Sequence, residues 1–234
     1  MRKANVTALV VALFLCLLLT ASGWAFKVPV ATNGVAESNP AVAYNPVNHQ
    51  HMVVWEHEYG AGNTDIHARL VHEYGYVLTE FTVADTGNME TSPQVIYNQA
   101  EQEYVVVWAN NITGGTAAGS HQILAERYSY DGSYNGNFEV TSNIENDTRA
   151  RYRPVIAYNL YDDNYLIAWE YEWSATDMDI YAQRFDLDGT PAGSTIYINS
   201  TNDERNPATS YGNGPNHDYF IVWQEKIFHT SLRV

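Results

Sequence analysis

The stretch from Pro154 to Trp169, PVIAYNLYDDNYLIAW, recurs in near copy as PAVAYNPVNHQHMVVW from Pro40, PQVIYNQAEQEYVVVW from Pro93 and PATSYGNGPNHDYFIVW from Pro207. The prolines lie 53, 61 and 53 residues apart, and each reaches its tryptophan (Trp55, Trp108, Trp169, Trp223) after 15, 15, 15 and 16 positions. Tyr44, Tyr97, Tyr158 and Tyr211 recur in the same register. A period near 50 residues builds an array of like units, none able to bury its own faces alone.

Each repeat divides into four short strands. In the third copy these are VIAYN (155–159), NYLIAWE (164–170), DIYAQRFD (179–186) and STIYIN (194–199), rich in β-branched and aromatic residues and separated by turn formers. Asp131-Gly132 and Asp188-Gly189, with Tyr74-Gly75 as a weaker copy, fall between the third and fourth strands, where a tight hairpin needs positive φ. The expected fold is all-β and β-propeller-like, with four-stranded antiparallel blades of about 50 residues. One tryptophan per repeat would fill the gap between neighbouring blades.

The chain starts with Arg2 and Lys3, an apolar run from Val6 to Thr20 and small residues around Ala21–Ala25, the order of a secretory signal. Residues 1–25 are therefore read as a signal peptide and 26–234 as the propeller domain, with repeats at 40–92, 93–153, 154–206 and an incomplete 207–234. Residues 27–40, KVPVATNGVAESNP, align without a gap against 80–93, EFTVADTGNMETSP. That makes 26–36 a lone fourth strand, able to complete the last of about four blades and so remove open sheet edges. The competing reading is a fragment of a larger propeller, whose exposed edges would favour oligomers. Cys16 is the only cysteine and lies inside the apolar run, followed by leucines, so neither an internal disulfide nor a lipid anchor is expected. The expected location is secreted, periplasmic or cell-surface, with no membrane contact after cleavage.

The formal charge of -15 falls to -17 once Arg2 and Lys3 are removed, and such a surface repels phosphate backbones, which argues against nucleic acid as partner. No phosphate loop, dinucleotide fingerprint or G-x-S-x-G occurs, and the histidines lack the spacing of a zinc site. DLDG at 186–189 opens like a calcium loop, but Thr190, Pro191 and Ala192 follow where ligands would be needed, so it reads as a hairpin turn. No metal ligand or cofactor is assigned, calcium elsewhere on the acidic surface being the one candidate.

Loops on one face of a propeller vary while the sheets hold them, so ligand residues are sought there. His57, Glu58 and Tyr59 in one repeat correspond to Tyr171, Glu172 and Trp173 in another, and all six fall after the tryptophan in expected loops. Trp173 lies outside the tryptophan repeat; it either folds over its own sheet or stacks on a sugar ring. Arg149, Arg151 and Arg153 form a basic trio, read as neutralising Glu145 and Asp147 or, with Arg151 foremost, as gripping an acidic sugar. Glu56 and Glu170 follow the tryptophan directly and read as structural.

The pattern P-x-V-A-Y-N, Y-x-V-V-W, D-I-Y-A-Q-R, D-G resembles tandem repeats of secreted and surface proteins of prokaryotes, expected to be β-propeller units and mostly without an assigned activity. The resemblance covers nearly all of the chain after residue 25. It implies fold more than function. With no catalytic constellation in the sequence, the expected function is a secreted, non-catalytic binding or surface-interaction module for carbohydrate or protein. The alternatives are a secreted carbohydrate-active enzyme, glycosidase or lyase, using loop carboxylates, and a piece of a larger surface protein.

Overall fold

The computed structural model describes residues 35–60, 62–111, 121–141, 149–212 and 216–226. The signal peptide, nearly all of the expected closing strand 26–36 and residues 227–234 lie outside the described residues. Among the described residues there is no helix. Three sheets of four antiparallel strands follow one another: β1(Glu37–Asn45) to β4(Val77–Ala84), with β2(Gln50–Gly60) and β3(Asn63–His72) between; β5(Met89–Asn98), β6(Glu103–Asn111), β7(His121–Ser129) and β8(Tyr134–Glu139); and β9(Arg151–Asn159), β10(Asn164–Ser174), β11(Asp177–Asp186) and β12(Pro191–Ile198). β13(Asp203–Tyr211) and β14(Tyr219–Lys226) pair as a fourth, two-stranded sheet. The first and second sheets are joined by one parallel bridge between Thr64 and Met89. β1 packs on β5, β5 on β9 and β9 on β13, so the first strand of every repeat lies innermost. The all-β, propeller-like arrangement is thus present, but the sheets do not close into a ring among the described residues, and a count of four complete blades is not reached.

Alternation along the strands gives each sheet two apolar faces, which is why the sheets stack. Met52, Val54, Ile66 and Leu70 of the first sheet meet Tyr104, Val106 and Trp108 of the second. Val105, Val107 and Ile123 on its other face meet Tyr165, Ile167, Trp169 and Phe185 of the third. Leu166, Ala168 and Ile180 then meet Tyr219 and Ile221 of the fourth. Trp108 and Trp169 therefore fill gaps between sheets, as expected, and truncating a side chain so placed costs about 3–5 kcal/mol. Trp223 departs from the expectation: it is 41% exposed, because β14 has only β13 beside it among the described residues.

Repeat-specific polar contacts fix the turns. Asn45, Asn98 and Asn159 end the first strands, and each Oδ1 accepts two backbone N–H groups of the following turn, from Val47 and Asn48, Ala100 and Glu101, and Tyr161 and Asp162. Those are Asx turns, which hold the hairpin without a ladder bond. One hydroxyl per repeat then ties a sheet to the one before it: Tyr104 donates to the Gln50 carbonyl at 3.3 Å, Tyr165 accepts from Asn98 at 2.6 Å, and Tyr219 donates to the Asn164 carbonyl at 2.8 Å. The DLDG segment is a hairpin turn, Gly189 N–H bonding the Asp186 carbonyl at 2.9 Å.

Candidate functional site

A proline has no N–H to give to a ladder, so a strand containing one must bulge or lie at an edge. In all four repeats the innermost strand slips register around its proline, between Ser38 and Ala41, Thr91 and Gln94, Tyr152 and Val155, and Arg205 and Ala208. The residue before each proline, Asn39, Ser92, Arg153 or Asn206, takes a left-handed backbone with φ of 48°, 56°, 46° and 53°. Such a conformation costs about 1–3 kcal/mol per residue and persists only where the surroundings impose it.

Two glutamates hold two of these residues, Ser92 and Asn206, by their backbone N–H groups. Glu56, 6% exposed, accepts the Ser92 backbone N–H at 2.6 Å, together with the Ser38 hydroxyl at 2.7 Å and the Asn39 amide at 2.8 Å. Glu170, 1% exposed, accepts the Asn206 N–H at 2.7 Å and pairs with Arg153 at 3.2 Å. The sequence-based reading of both as structural agrees with these contacts. Ala109 in the second repeat has no carboxylate to offer, and Gln224 in the fourth accepts instead from the Asn206 side chain at 2.9 Å.

The four strained residues surround a pocket of about 280 Å³ on the axis between the innermost strands, floored by Pro40, Pro154 and Pro207. It adjoins a second space of about 380 Å³ lined by Tyr152, Arg153, Glu170, Met178 and Arg205. There the Tyr152 hydroxyl donates to Glu172 Oε2 at 3.5 Å, and burial followed by the Glu172 charge pushes the phenol above its ordinary value. Arg205 is held on both oxygens of Asp203 at 2.9 Å, which raises its already high pKa through that bond. A phenol bonded to a carboxylate can pass its proton there as its oxygen attacks, and the Arg153 and Arg205 guanidinium groups line the same space.

The residues chosen from the sequence fare differently. All six expected loop residues lie in strands, because pairing runs on past the tryptophan: His57 opposite Asp65, Glu58 opposite Thr64, Tyr171 opposite Asp179 and Glu172 opposite Met178. His57 is buried, bonded through Nδ1 to Glu37 at 2.8 Å and stacked on His67 with ring centres 4.5 Å apart. Tyr171 is buried and stacked on Tyr181 at 4.3 Å. Glu58, Tyr59 and Trp173 are exposed at strand ends, while Glu172 is half-buried. The first trio belongs to β2 and the second to β10, in sheets separated by the second sheet, so the two trios do not form one site.

Nor do the arginines act together. Arg151 is 3% exposed and donates to the carbonyls of His121 at 2.8 Å and Arg149 at 3.2 Å, so these donors serve the backbone. Arg149 lies over the Trp173 ring at 4.3 Å, and only Arg153 opens on the axis. The expected partners Glu145 and Asp147 lie outside the described residues. Tyr152 and Arg205 are not among the residues that the sequence singles out; their only signal is position, two residues before the repeated proline, and not residue type.

No protein-family model matches the chain, and no curated protein matches it in sequence. Solved structures do. A Hadza microbial sialidase superposes with a TM-score of 0.56 at 11% identity, covering 74% of this chain and 39% of its own. A Penicillium chrysogenum α-L-arabinanase complexed with arabinobiose gives 0.56 at 12%, covering 80% and 64%. An endo-arabinase from Bacteroides thetaiotaomicron gives 0.53 at 13%, covering 87% and 83%. The chain thus spans 39% of the sialidase and 64% of the arabinanase. At such identities the likeness is one of fold, and it is to β-propeller enzymes. It also overturns the expectation of a non-catalytic binding module, since the similar structures are carbohydrate-active enzymes.

Proposed function

We propose that this chain is a glycosidase, exported from the cell, whose reacting groups meet in the space that adjoins the axial pocket. The observation that carries this reading is that Tyr152, its hydroxyl bonded to Glu172, lines one pocket together with Arg153, Arg205 and Glu170. Sialidases are glycosidases that use a tyrosine nucleophile in place of a carboxylate, which makes a phenol bonded to a glutamate meaningful chemistry. Glu172 takes the phenolic proton as Tyr152 Oη bonds the anomeric carbon; the glycosidic C–O bond breaks, and the leaving alcohol takes a proton from water in the open pocket. Water then attacks the anomeric carbon as the Tyr152–sugar bond breaks; Glu172 returns its proton to Tyr152 Oη, and the proton shed by that water neutralises the hydroxide left by the first step. Arg153 and Arg205 bind a carboxylate on the sugar, so the substrate class is an acidic glycoside. The carbohydrate-active enzymes that share the fold support the reading.

A screen of aryl glycosides, with sialosides and uronides beside neutral arabinosides and galactosides, tests it. Turnover of an acidic glycoside that falls at least about 100-fold in Tyr152→Phe is expected. Turnover unchanged in that variant, or no turnover of any glycoside, overturns it.

The same reading takes residues 26–36 as the outer strand of the fourth sheet, closing a four-bladed ring. Removing residues 1–36 then strips hydrogen-exchange protection from β13 and β14. Undiminished protection there would reject closure by that segment.

A further inference from the structure

Outside the axial pocket, one junction between sheets carries an electrostatic problem. Asp177 and Asp179 at the start of β11 and Glu204 on β13 each bring a carboxylate oxygen within 4.8 Å of the others. Asp179 is 3% and Glu204 1% exposed. Glu204 Oε1 accepts the Ser200 hydroxyl, but Glu204 Oε2 and Asp177 Oδ1 are buried without a hydrogen-bond partner. A buried carboxylate oxygen with no donor is costly, and three carboxylates sharing one space repel each other.

The arrangement is not an accident of one junction. By repeat position, Asn63, Asp65 and Glu90 between the first and second sheets correspond to Asp177, Asp179 and Glu204, and Thr86 corresponds to Ser200. Thr86 likewise donates to Glu90, and Asn63 Oδ1, Asp65 Oδ1 and Glu90 Oε2 are again buried and without partners. At the junction between these two, Gln122 and the buried Arg151 stand at the positions of Asp179 and Glu204, so no carboxylate pair is buried at those positions.

We propose that Asp177, Asp179 and Glu204 hold a hard divalent cation, calcium by ligand type, which pins the third sheet to the fourth. Hard cations of this size take six to eight oxygen ligands, carboxylates first, with the rest from water and neighbouring carbonyl or hydroxyl oxygens. Asp179 and Ser200 also line a pocket of about 280 Å³ whose wall is Trp173, which gives the ion a way in from solvent. The sequence alone does not point to these ligands, because the three carboxylates come from two repeats, 25 residues apart between Asp179 and Glu204.

Trp173 supplies the test. The full chain, stripped with a chelator, is titrated with terbium while tryptophan is excited, and calcium binding is measured separately by calorimetry. The wild-type chain should show sensitised terbium emission that calcium displaces. Glu204→Gln combined with Asp177→Asn should weaken calcium binding at this site at least ~10-fold and remove the emission. Trp173→Phe should lose most of the emission and keep the calcium heat. In chelator the double variant should melt no lower than the wild type, because it has lost repulsion and no bond. Absence of calcium heat in the wild type overturns the proposal. Unchanged emission in the double variant, or full emission in Trp173→Phe, does so as well.

Discussion

Glu170 of the third sheet accepts the backbone N–H of Asn206 in the fourth at 2.7 Å, and Glu56 of the first does the same for Ser92 of the second at 2.6 Å. The two residues hold a left-handed backbone beside a proline that cannot join the ladder. Glu56 also takes the Ser38 hydroxyl and the Asn39 amide, so its loss leaves several donors facing a hole. Glu56→Ala should lower unfolding stability by about 3 kcal/mol, with Glu56→Gln costing less because one oxygen remains. Urea denaturation of the two variants measures this, and equal losses in both would remove the hydrogen bonds as the cause.

The buried turn asparagines make a second, repeat-wide prediction. Asn98 accepts two turn N–H groups through Oδ1 and gives its amide to Tyr165 in the next sheet. Asn98→Ala breaks turn and inter-sheet contact together and should cost about 2–3 kcal/mol. Tyr165→Phe breaks only the second and should cost about 1 kcal/mol. A double-mutant cycle reads their coupling; strict additivity would mean that the 2.6 Å contact carries no energy.

What was legible in the sequence follows from what is local. The strands around Trp55, Trp108 and Trp169 announce themselves by alternation, and the Asp-Gly turns by the φ they require. The upper ends of β2 and β10 do not: HEYG and YEWS are polar and read as loops, and only pairing with Asp65 and Asp179 makes them strand. The axial ring was hidden for a different reason. Asn39, Ser92, Arg153 and Asn206 share a backbone conformation and no side-chain type, so the repeat shows them only as whatever precedes the proline. Tyr152 and Arg205 enter the site by the same route.

Hairpin tips lock onto the preceding sheet, which gives Gly189 a second duty besides its turn. A Cβ placed there would fall 2.4 Å from Phe138 Cγ, and one at Gly132 would fall 2.9 Å from Phe81 Cε1, in the same relation one sheet earlier. Both glycines have φ of 89°. Gly189→Ala therefore meets backbone strain and overpacking at once and should cost about 2–4 kcal/mol. Truncating the obstacle, as Phe138→Leu, should return part of that loss. If calorimetry finds the double variant no more stable than the sum of single losses predicts, the clash is not what limits position 189.

Position 126 offers a test by pH. Glu126 stands where the third repeat has Gln183, and burial pushes its carboxyl above the ordinary 4.5, the Tyr128 hydroxyl bond opposing this in part. A carboxyl raised by folding adds stability only while protonated: its contribution is complete below the unfolded value and is lost as pH climbs through the folded one. At neutral pH the charge is therefore a cost, and Glu126→Gln, which still accepts from Tyr128, removes it. The variant should melt above the wild type at about pH 7, with the gap narrowing on acidification and closing below 4.5. Scanning calorimetry across that range decides the matter: a gap that widens toward acid would mean that Tyr128 holds the carboxylate charged, and that hydrogen bonding and not desolvation governs this face of the second sheet.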